Sequence, residues 1–275
     1  MPPTFDFANI LFAGPCNLRC PYCIGRQLNP ALSPPNLAEF PPRNLDTLLA
    51  LIRRHAIREV TLTGTTTDPQ LYRHEARLLA LLRDQLPPET RISLHTTGQL
   101  ALAKLAVFNQ YDRVTVSFPS FEPATYFKLM GSPRVPNLAE IVRRADVPVK
   151  ISAVLTADNA AEIDSFLARC AEIGVRRLVY RRLFGDTRDW SAALRRLPRR
   201  ADYRGNPVFD FHGLEVTYWQ FEQTASTAIN LFSDGTISTD YLLAAANRQP
   251  ATPPAWAATA PCPTSWDCAN PAAAR

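Results

Sequence analysis

The chain has 275 residues, 46% of them hydrophobic, with a formal net charge of +5 at neutral pH. This length suits one large or two small α/β domains, and the apolar share is ordinary for a globular protein. No segment has the uninterrupted apolar length of a membrane span, and no signal peptide is recognisable at the start, so we expect a cytoplasmic protein without a membrane partner.

The basic charge carries little functional weight by itself. Arginine dominates, and the only lysines are Lys104, Lys128 and Lys150. Such a bias, together with 25 prolines, is also typical of a GC-rich genome. A charge of this size would suit an anionic partner without requiring one.

Between residues 6 and 183, short β-rich runs alternate with segments of helical period, which predicts successive βα units around a parallel sheet. The connecting segments have apolar residues at helical spacing, as at Leu45, Leu48, Leu49 and Ile52. Six units fit a partial (β/α)6 barrel of TIM-like type, although the pattern alone leaves an open doubly wound sheet as an alternative. The predicted strands cover residues 7–12, 59–63, 91–95, 113–117, 149–155 and 177–181.

A cluster of three cysteines, Cys16, Cys20 and Cys23, follows the first predicted strand directly. Chemistry collects at the carboxyl ends of parallel strands, so the cluster lies where a site is expected. Three thiols cannot all pair with one another, and soft sulfur ligands select zinc, copper(I) or an iron–sulfur cluster. A structural zinc would need a fourth ligand. Among the histidines, only His95 follows a predicted strand at the same end of the sheet and could supply it. A [4Fe–4S] cluster held by three cysteines leaves one iron open for chemistry.

The spacing Cys-x3-Cys-x2-Cys, with aromatic Tyr22 before the last cysteine, resembles the signature of the radical S-adenosylmethionine (radical SAM) superfamily. The resemblance extends over residues 6 to 183 and implies a [4Fe–4S] cluster on Cys16, Cys20 and Cys23. It also implies that S-adenosylmethionine (SAM) chelates the open iron, with Tyr22 near the adenine. An electron donor such as flavodoxin or ferredoxin would supply the reducing electron.

Other SAM contacts follow from the resemblance residue by residue. After the second strand the family carries a Gly-Gly-Glu-Pro type loop, and this chain reads Gly-Thr-Thr-Thr-Asp-Pro at residues 64 to 69. Asp68 would replace the glutamate, and without a ligand the same loop is simply a βα turn. Asn159 would equally serve as a helix N-cap. The residues that the resemblance places at SAM are Tyr22, Gly64, Thr65, Thr66, Asp68, Ser117, Ser152, Asn159 and Arg181.

Beyond the core, three segments are expected. Residues 185 to 210 are rich in arginine, and we interpret them as a solvated helical face in preference to an anion clamp. A strand at residues 214 to 220 and an Asp-Gly hairpin at 228 to 239 resemble a degenerate SPASM or twitch extension. The tail is rich in Ala and Pro. The predicted domains are residues 1–184, 185–245 and 246–275.

Cys262 and Cys268 lie in that tail and could supply two ligands to an auxiliary cluster. A full ligand set is missing, so we expect no second cluster. Cys170 fits a buried position in a helix.

The resemblance implies a radical SAM enzyme that cleaves SAM reductively to a 5′-deoxyadenosyl radical, which takes hydrogen from a substrate. The class of substrate is not decided by the sequence. One alternative is a small or nucleotide-like metabolite, and the other is a peptide added to the edge of the strands near Leu214 or Thr236. No RNA-binding module is recognisable, so we expect no nucleic acid partner. The alternative is a metal-binding scaffold that has lost SAM cleavage.

Overall fold

A single mixed sheet of eleven strands organises the part of the chain that the computed structural model describes, namely residues 5–28, 30–221, 224 and 227–239. The strands are β1 Phe7–Phe12, β2 Glu59–Gly64, β3 Arg91–Thr96, β4 Arg113–Ser117, β5 Val149–Leu155, β6 Arg177–Arg182, β7 Arg199–Tyr203, β8 Asn206–Phe211, β9 Leu214–Trp219, β10 Ala228–Leu231 and β11 Ile237–Ser238. The six strands predicted for the core are confirmed, three of them lengthened by one residue.

Helices connect the core strands. The α-helices are α1 Leu45–Arg54, α2 Glu75–Gln85, α3 Leu105–Phe108, α4 Pro123–Met130, α5 Leu138–Arg144 and α6 Ile163–Glu172. Short 3₁₀ turns cover Ile24–Gln27, Pro30–Leu32, Pro69–Leu71, Ala160–Glu162 and Ser191–Leu194. No helix in the described ranges has the length and apolarity needed to cross a membrane.

The order of the core strands decides between the two predicted architectures. Strands β1 to β6 are adjacent in sequence order and all parallel. Right-handed crossovers that always advance in one direction place every helix on the same face, whereas a doubly wound sheet reverses direction. The sheet is open and curls as a partial barrel, which confirms the predicted fold class.

The core lies between the helices and one face of this sheet. Alternate strand residues such as Leu94, Val116 and Ile151 are fully buried against the helices. The predicted apolar stripe of α1 is buried, and so is Cys170 on α6. We call the opposite side of the sheet the concave face; it carries the other set of alternating residues.

Strands from the end of the chain extend both edges of the core sheet. β9 pairs in parallel with β6 and is followed by antiparallel β8 and β7, while β10 pairs in parallel with β1 and forms the antiparallel hairpin with β11. The predicted strand and hairpin are confirmed. Of the two strands considered for adding a peptide, β9 lies between two strands and has no free edge, whereas β11, next to Thr236, is an outermost strand of the described sheet.

The arginine-rich segment is solvated, as predicted. It is mostly not helical, contrary to the prediction. Residues 199–203 are exposed and form β7, and only the 3₁₀ turn at Ser191–Leu194 is helical. Arginine pairs with nearby carboxylates along it, for example Arg200 with Asp210 at 2.7 Å. The domain boundary at residue 184 stays a prediction, and the predicted tail with Cys262 and Cys268 lies outside the described residues.

Candidate active site

The three cysteines of the loop after β1 each have a different backbone group as neighbour. The Leu18 amide donates to Cys16 Sγ at 3.4 Å, Cys20 Sγ donates to the Met130 carbonyl at 3.6 Å, and Cys23 Sγ lies 3.9 Å from the Thr65 carbonyl. Cys16 is exposed and the other two are half-buried, and all three are free thiols. The loop therefore presents three unpaired sulfur atoms at the carboxyl end of the sheet.

The end of α4 supports the middle of the cysteine loop. The Arg19 amide donates to the Met130 carbonyl at 3.2 Å, and Tyr22 Oη donates to Met130 Sδ at 3.3 Å. Gly131 ends the helix in the left-handed conformation, with φ +64°, and a Cβ there would overlap the Arg19 backbone. Only glycine allows the loop and the helix to approach so closely.

The threonine-rich loop after β2 is hydrogen-bonded to the start of the cysteine loop by all three hydroxyls. Thr65 Oγ1 donates to the Phe12 carbonyl at 3.1 Å and Thr67 Oγ1 to the Pro15 carbonyl at 2.6 Å. Thr66 Oγ1 accepts from the Gly14 amide at 3.2 Å. These hydroxyls hold one loop on the other, so the predicted contact of Thr65 and Thr66 with SAM stays a prediction.

Two glycines leave room for close backbone contacts, one between the two loops and one within the loop after β2. A Cβ on Gly25, just after the last cysteine, would overlap the Thr65 carbonyl, and a Cβ on Gly64 would overlap the Thr67 carbonyl. Neither glycine has a positive φ, so the requirement is space and not backbone conformation. The sequence resemblance singled out Gly64 but not Gly25, whose neighbour is distant in the chain.

Asp68 joins the loops that follow β2 and β3. Its side chain is 1% exposed and accepts from the Gln70 amide at 2.9 Å, the Thr97 amide at 2.8 Å and the hydroxyls of Thr96 and Thr97. The Thr97 hydroxyl also lies 3.4 Å from Asn17 Oδ1, next to Cys16. Four protein donors already surround this carboxylate, and its predicted contact with the amino group of SAM stays a prediction.

We expect Asp68→Asn to destabilise the chain. The amide would place a donor group against backbone N–H donors, and leaving buried polar groups unsatisfied costs about 1–3 kcal/mol each. Urea unfolding of the native chain and the variant measures the loss, with exposed Asp84→Asn as the matched control. A variant as stable as the control would contradict the role assigned to these hydrogen bonds.

The electrostatics of the loop show that the thiols lie close together. Burial raises the pKa of Cys20 to about 12, and the neighbouring Cys23 and Cys16 add to the rise. Burial is also the main cause that raises the pKa of Cys16, with smaller contributions from Asp68 and Cys23. The raised pKa values of Cys16 and Cys20 favour the neutral thiols, and a bound metal would favour the thiolates.

The donor set fits an iron–sulfur cluster. Three soft thiols share one short loop, and Asn17 Nδ2 beside Cys16 is buried without a hydrogen-bond partner among the described residues. Within those residues no three Cys, His, Asp or Glu side chains are grouped so as to hold a single metal ion. The cysteines of a four-iron cluster each bind a different iron, so they need not converge on one point.

The remaining residues predicted at SAM lie at the ends of β4, β5 and β6. Ser117 and Ser152 are register partners on neighbouring strands, and Arg181 Nε donates to Ser152 Oγ at 2.8 Å. Asn159 is 3% exposed and makes no N-cap bond; it accepts from the Thr156 amide at 2.8 Å and donates to the Val154 carbonyl at 2.9 Å. Asn159 thus occupies the N-cap position of the turn Ala160–Glu162, as interpreted, but its side chain stabilises the loop after β5 and does not cap the turn.

Deeper on the concave face lies a group of polar residues, of which the sequence analysis noted only His95, as a possible fourth metal ligand. His95 is the register partner of Thr115, and Thr115 is the partner of Lys150. The available signal was a charged residue near the start of a strand of otherwise apolar character, since Lys150, the second residue of β5, precedes the core residue Ile151. The whole row faces the interior of the partial barrel.

Comparisons with known proteins agree with this geometry. Residues 10–170 match the family model described as Radical SAM superfamily. The chain is 31% identical over 176 residues to the GTP 3′,8-cyclase of Mycobacterium marinum, covering 58% of this chain and 45% of that protein. It is 32% identical over 171 residues to the GTP 3′,8-cyclase of Paenarthrobacter nicotinovorans, covering 58% and 46%. The chain thus spans about half the length of these relatives.

Among solved structures, the chain is similar to Streptococcus suis SuiB bound to the precursor peptide SuiA. The TM-score is 0.62 at 13% identity, over 90% of this chain and 62% of that one. The SAM-bound structure of SuiB gives a TM-score of 0.61 at 12% identity, over 90% and 60%. At this level of identity the likeness concerns the fold alone.

Proposed function

Because the chain belongs to the radical SAM superfamily, whose members use a [4Fe–4S] cluster and SAM, we propose that it is an enzyme that cleaves SAM reductively. The observation that carries the proposal is the loop of three free thiols, fastened to the β2 loop and to the end of α4. We assign the cluster to Cys16, Cys20 and Cys23, with SAM between the cluster and the ends of β4 to β6.

The bound cluster and SAM would together supply a 5′-deoxyadenosyl radical that abstracts hydrogen from a substrate carbon. The residues of this chain position and shield that reaction. Tyr22 packs beside Cys20 and Cys23 and limits access of water, and burial raises the pKa of Tyr22, so the phenol stays neutral there. We place the carboxylate of SAM near Arg181, whose Nε donates to Ser152 Oγ on the concave face.

We favour a small metabolite over a peptide as substrate. The curated relatives act on GTP, as their names state, and the concave face carries several cationic residues. A peptide added to the sheet would need a free edge; β9 is covered on both sides, which leaves only β11 of the two strands considered. The electron donor of flavodoxin or ferredoxin type remains part of the proposal, and exposed Cys16 marks the side from which the cluster is reached.

The first experiment asks whether the open iron binds SAM. The chain is reconstituted anaerobically with iron and sulfide and reduced, and its electron paramagnetic resonance spectrum is recorded with and without SAM. We expect a cluster signal that changes when SAM is added, because its amino and carboxylate groups would ligate one iron. A cluster signal that SAM leaves unchanged would favour the metal-binding scaffold, and a zinc-loaded chain with no cluster would overturn the proposal.

A further inference from the structure

We propose that the side-chain amide of Asn17 donates an N–H···S hydrogen bond to the sulfur of Cys16 when the cluster is bound, and that this bond raises the reduction potential of the cluster. The inference rests on the proposed function, because it takes Cys16 as a cluster ligand. It concerns a side chain of the cysteine loop that binds no iron, and it gives that side chain an effect that can be measured without SAM.

Asn17 follows the first cysteine directly, and within the described residues only the oxygen of its amide has hydrogen-bond partners. Cys16 Sγ donates to Asn17 Oδ1 at 3.6 Å, and the Thr97 hydroxyl lies 3.4 Å from the same oxygen. Asn17 Nδ2 is buried and has no hydrogen-bond partner in the described ranges of the chain. Its two N–H groups are withdrawn from water without an acceptor, which costs free energy. The free-thiol form of the loop therefore leaves the donor side of this amide unused.

Iron binding changes the hydrogen bonds that the sulfur of Cys16 can make. A cysteine binds iron as a thiolate, which accepts hydrogen bonds but has no proton to donate. Asn17 Oδ1 would then face a second acceptor across 3.6 Å. A half-turn of the amide about the Cβ–Cγ bond exchanges oxygen and nitrogen in nearly the same volume, and this torsion is broad and roughly two-fold in asparagine. The turned amide directs an N–H group at the sulfur.

The surroundings of Asn17 fit the turned amide. The Thr97 hydroxyl has one proton and lies within hydrogen-bond reach of both Asp68 and Asn17. The Asp68 carboxylate is the stronger acceptor, so the proton goes to Asp68 and leaves the Thr97 oxygen able to accept. The two N–H groups of the turned amide then have two acceptors, Cys16 Sγ and Thr97 Oγ1. One atom of the amide stays unpaired in either orientation, so the half-turn adds no unsatisfied group.

A donor at this position favours the reduced cluster. Hydrogen bonds to the sulfurs are one of the properties that set the potential of an iron–sulfur cluster, because they stabilise the extra negative charge of the reduced form. The Leu18 amide already donates to Cys16 Sγ at 3.4 Å, and this backbone group cannot be removed by substitution. Asn17 supplies the second donor through its side chain, so its contribution can be measured.

The test is a redox titration of the reconstituted full chain without SAM, followed by electron paramagnetic resonance. In Asn17→Leu, which removes the donor, we expect the ratio of reduced to oxidised cluster at a given potential to fall about tenfold, or about 59 mV for one electron. Asn17→Asp keeps the shape and the contact with Thr97 but adds negative charge, so it should lower the potential further; it also serves if Asn17→Leu assembles no cluster. Asn109→Leu is the matched control, because Asn109 donates to Asp146 at 2.7 Å in the segment before β4, at the opposite end of the sheet from the cysteines.

A second readout detects the hydrogen bond itself. With nitrogen-15 in the asparagine side chains, pulsed electron paramagnetic resonance of the reduced native chain should show a nitrogen-15 coupling that is absent in Asn17→Leu. The inference fails if Asn17→Leu and Asn109→Leu have the same potential, if Asn17→Asp keeps the native potential, as a purely structural role predicts, or if the coupling is missing from the native chain or persists in Asn17→Leu. Any of these results in a chain that forms 5′-deoxyadenosine overturns the inference alone, whereas a native chain that assembles no cluster overturns the proposed function as well.

Discussion

Replacing Cys16, Cys20 and Cys23 together by alanine is expected to abolish cluster assembly. After anaerobic reconstitution, the native chain should retain about four irons, the content of one [4Fe–4S] cluster. The triple variant should retain no more iron than a sample without protein, because no other group of thiols lies near this loop in the described residues. Iron analysis and the spectrum of the reduced chain measure the effect. The fold should survive, since these thiols contribute little to the core.

The matched control is Cys170→Ala. Cys170 is fully buried on α6 and packs in the core, away from the cysteine loop. Its loss should lower stability slightly and leave the iron content unchanged. Equal iron in the triple variant and the native chain would place the cluster on other residues and contradict the assignment.

Gly25→Ala is expected to damage both the stability of the chain and its candidate site. The added methyl group would overlap the Thr65 carbonyl, which belongs to the backbone of a loop held by three hydroxyl contacts. One of the two loops must move, at a cost of about 3 kcal/mol or more, which is the upper range for overpacking. We expect a lower midpoint of urea unfolding and a large fall in SAM binding by the reconstituted chain.

Gly213→Ala is the control for the loss of a glycine as such. Gly213 has φ +89° and open space around its Cα, so alanine there meets only the cost of the left-handed conformation, about 1–2 kcal/mol. It should leave SAM binding unchanged. If Gly25→Ala bound SAM as tightly as this control, the close approach of the two loops would not matter for the site.

The strands and the apolar helix faces could be read from the sequence because they depend on local periodicity. Phe7–Phe12 and Val149–Leu155 begin and end where the pattern predicted them. The cysteine spacing likewise identified a site without any structure. These features are set by neighbours in the chain, so a single sequence contains them.

The features that escaped prediction depend on residues far apart in the chain. Nothing near Gly25 reveals that Thr65 lies against it, and nothing in residues 214 to 220 reveals that β9 would pair with β6. Asp68 was assigned to SAM from its place in a motif, whereas the structure surrounds it with donors from the loop after β3.

The GTP 3′,8-cyclases match this chain over only part of their own length. The chain covers about half of each cyclase, so GTP as a substrate is not transferred with the family. The anionic small molecule that we favour as substrate therefore remains part of the proposed function.

The most direct test of the central claim is the formation of 5′-deoxyadenosine from SAM by the reduced, reconstituted chain. The native protein should form it together with methionine, and the triple cysteine variant should form none above the background of a reaction without protein. A native chain that holds its cluster and yields no 5′-deoxyadenosine, with phosphorylated and carboxylated candidate substrates present, would contradict the account and identify the protein as a metal-binding scaffold.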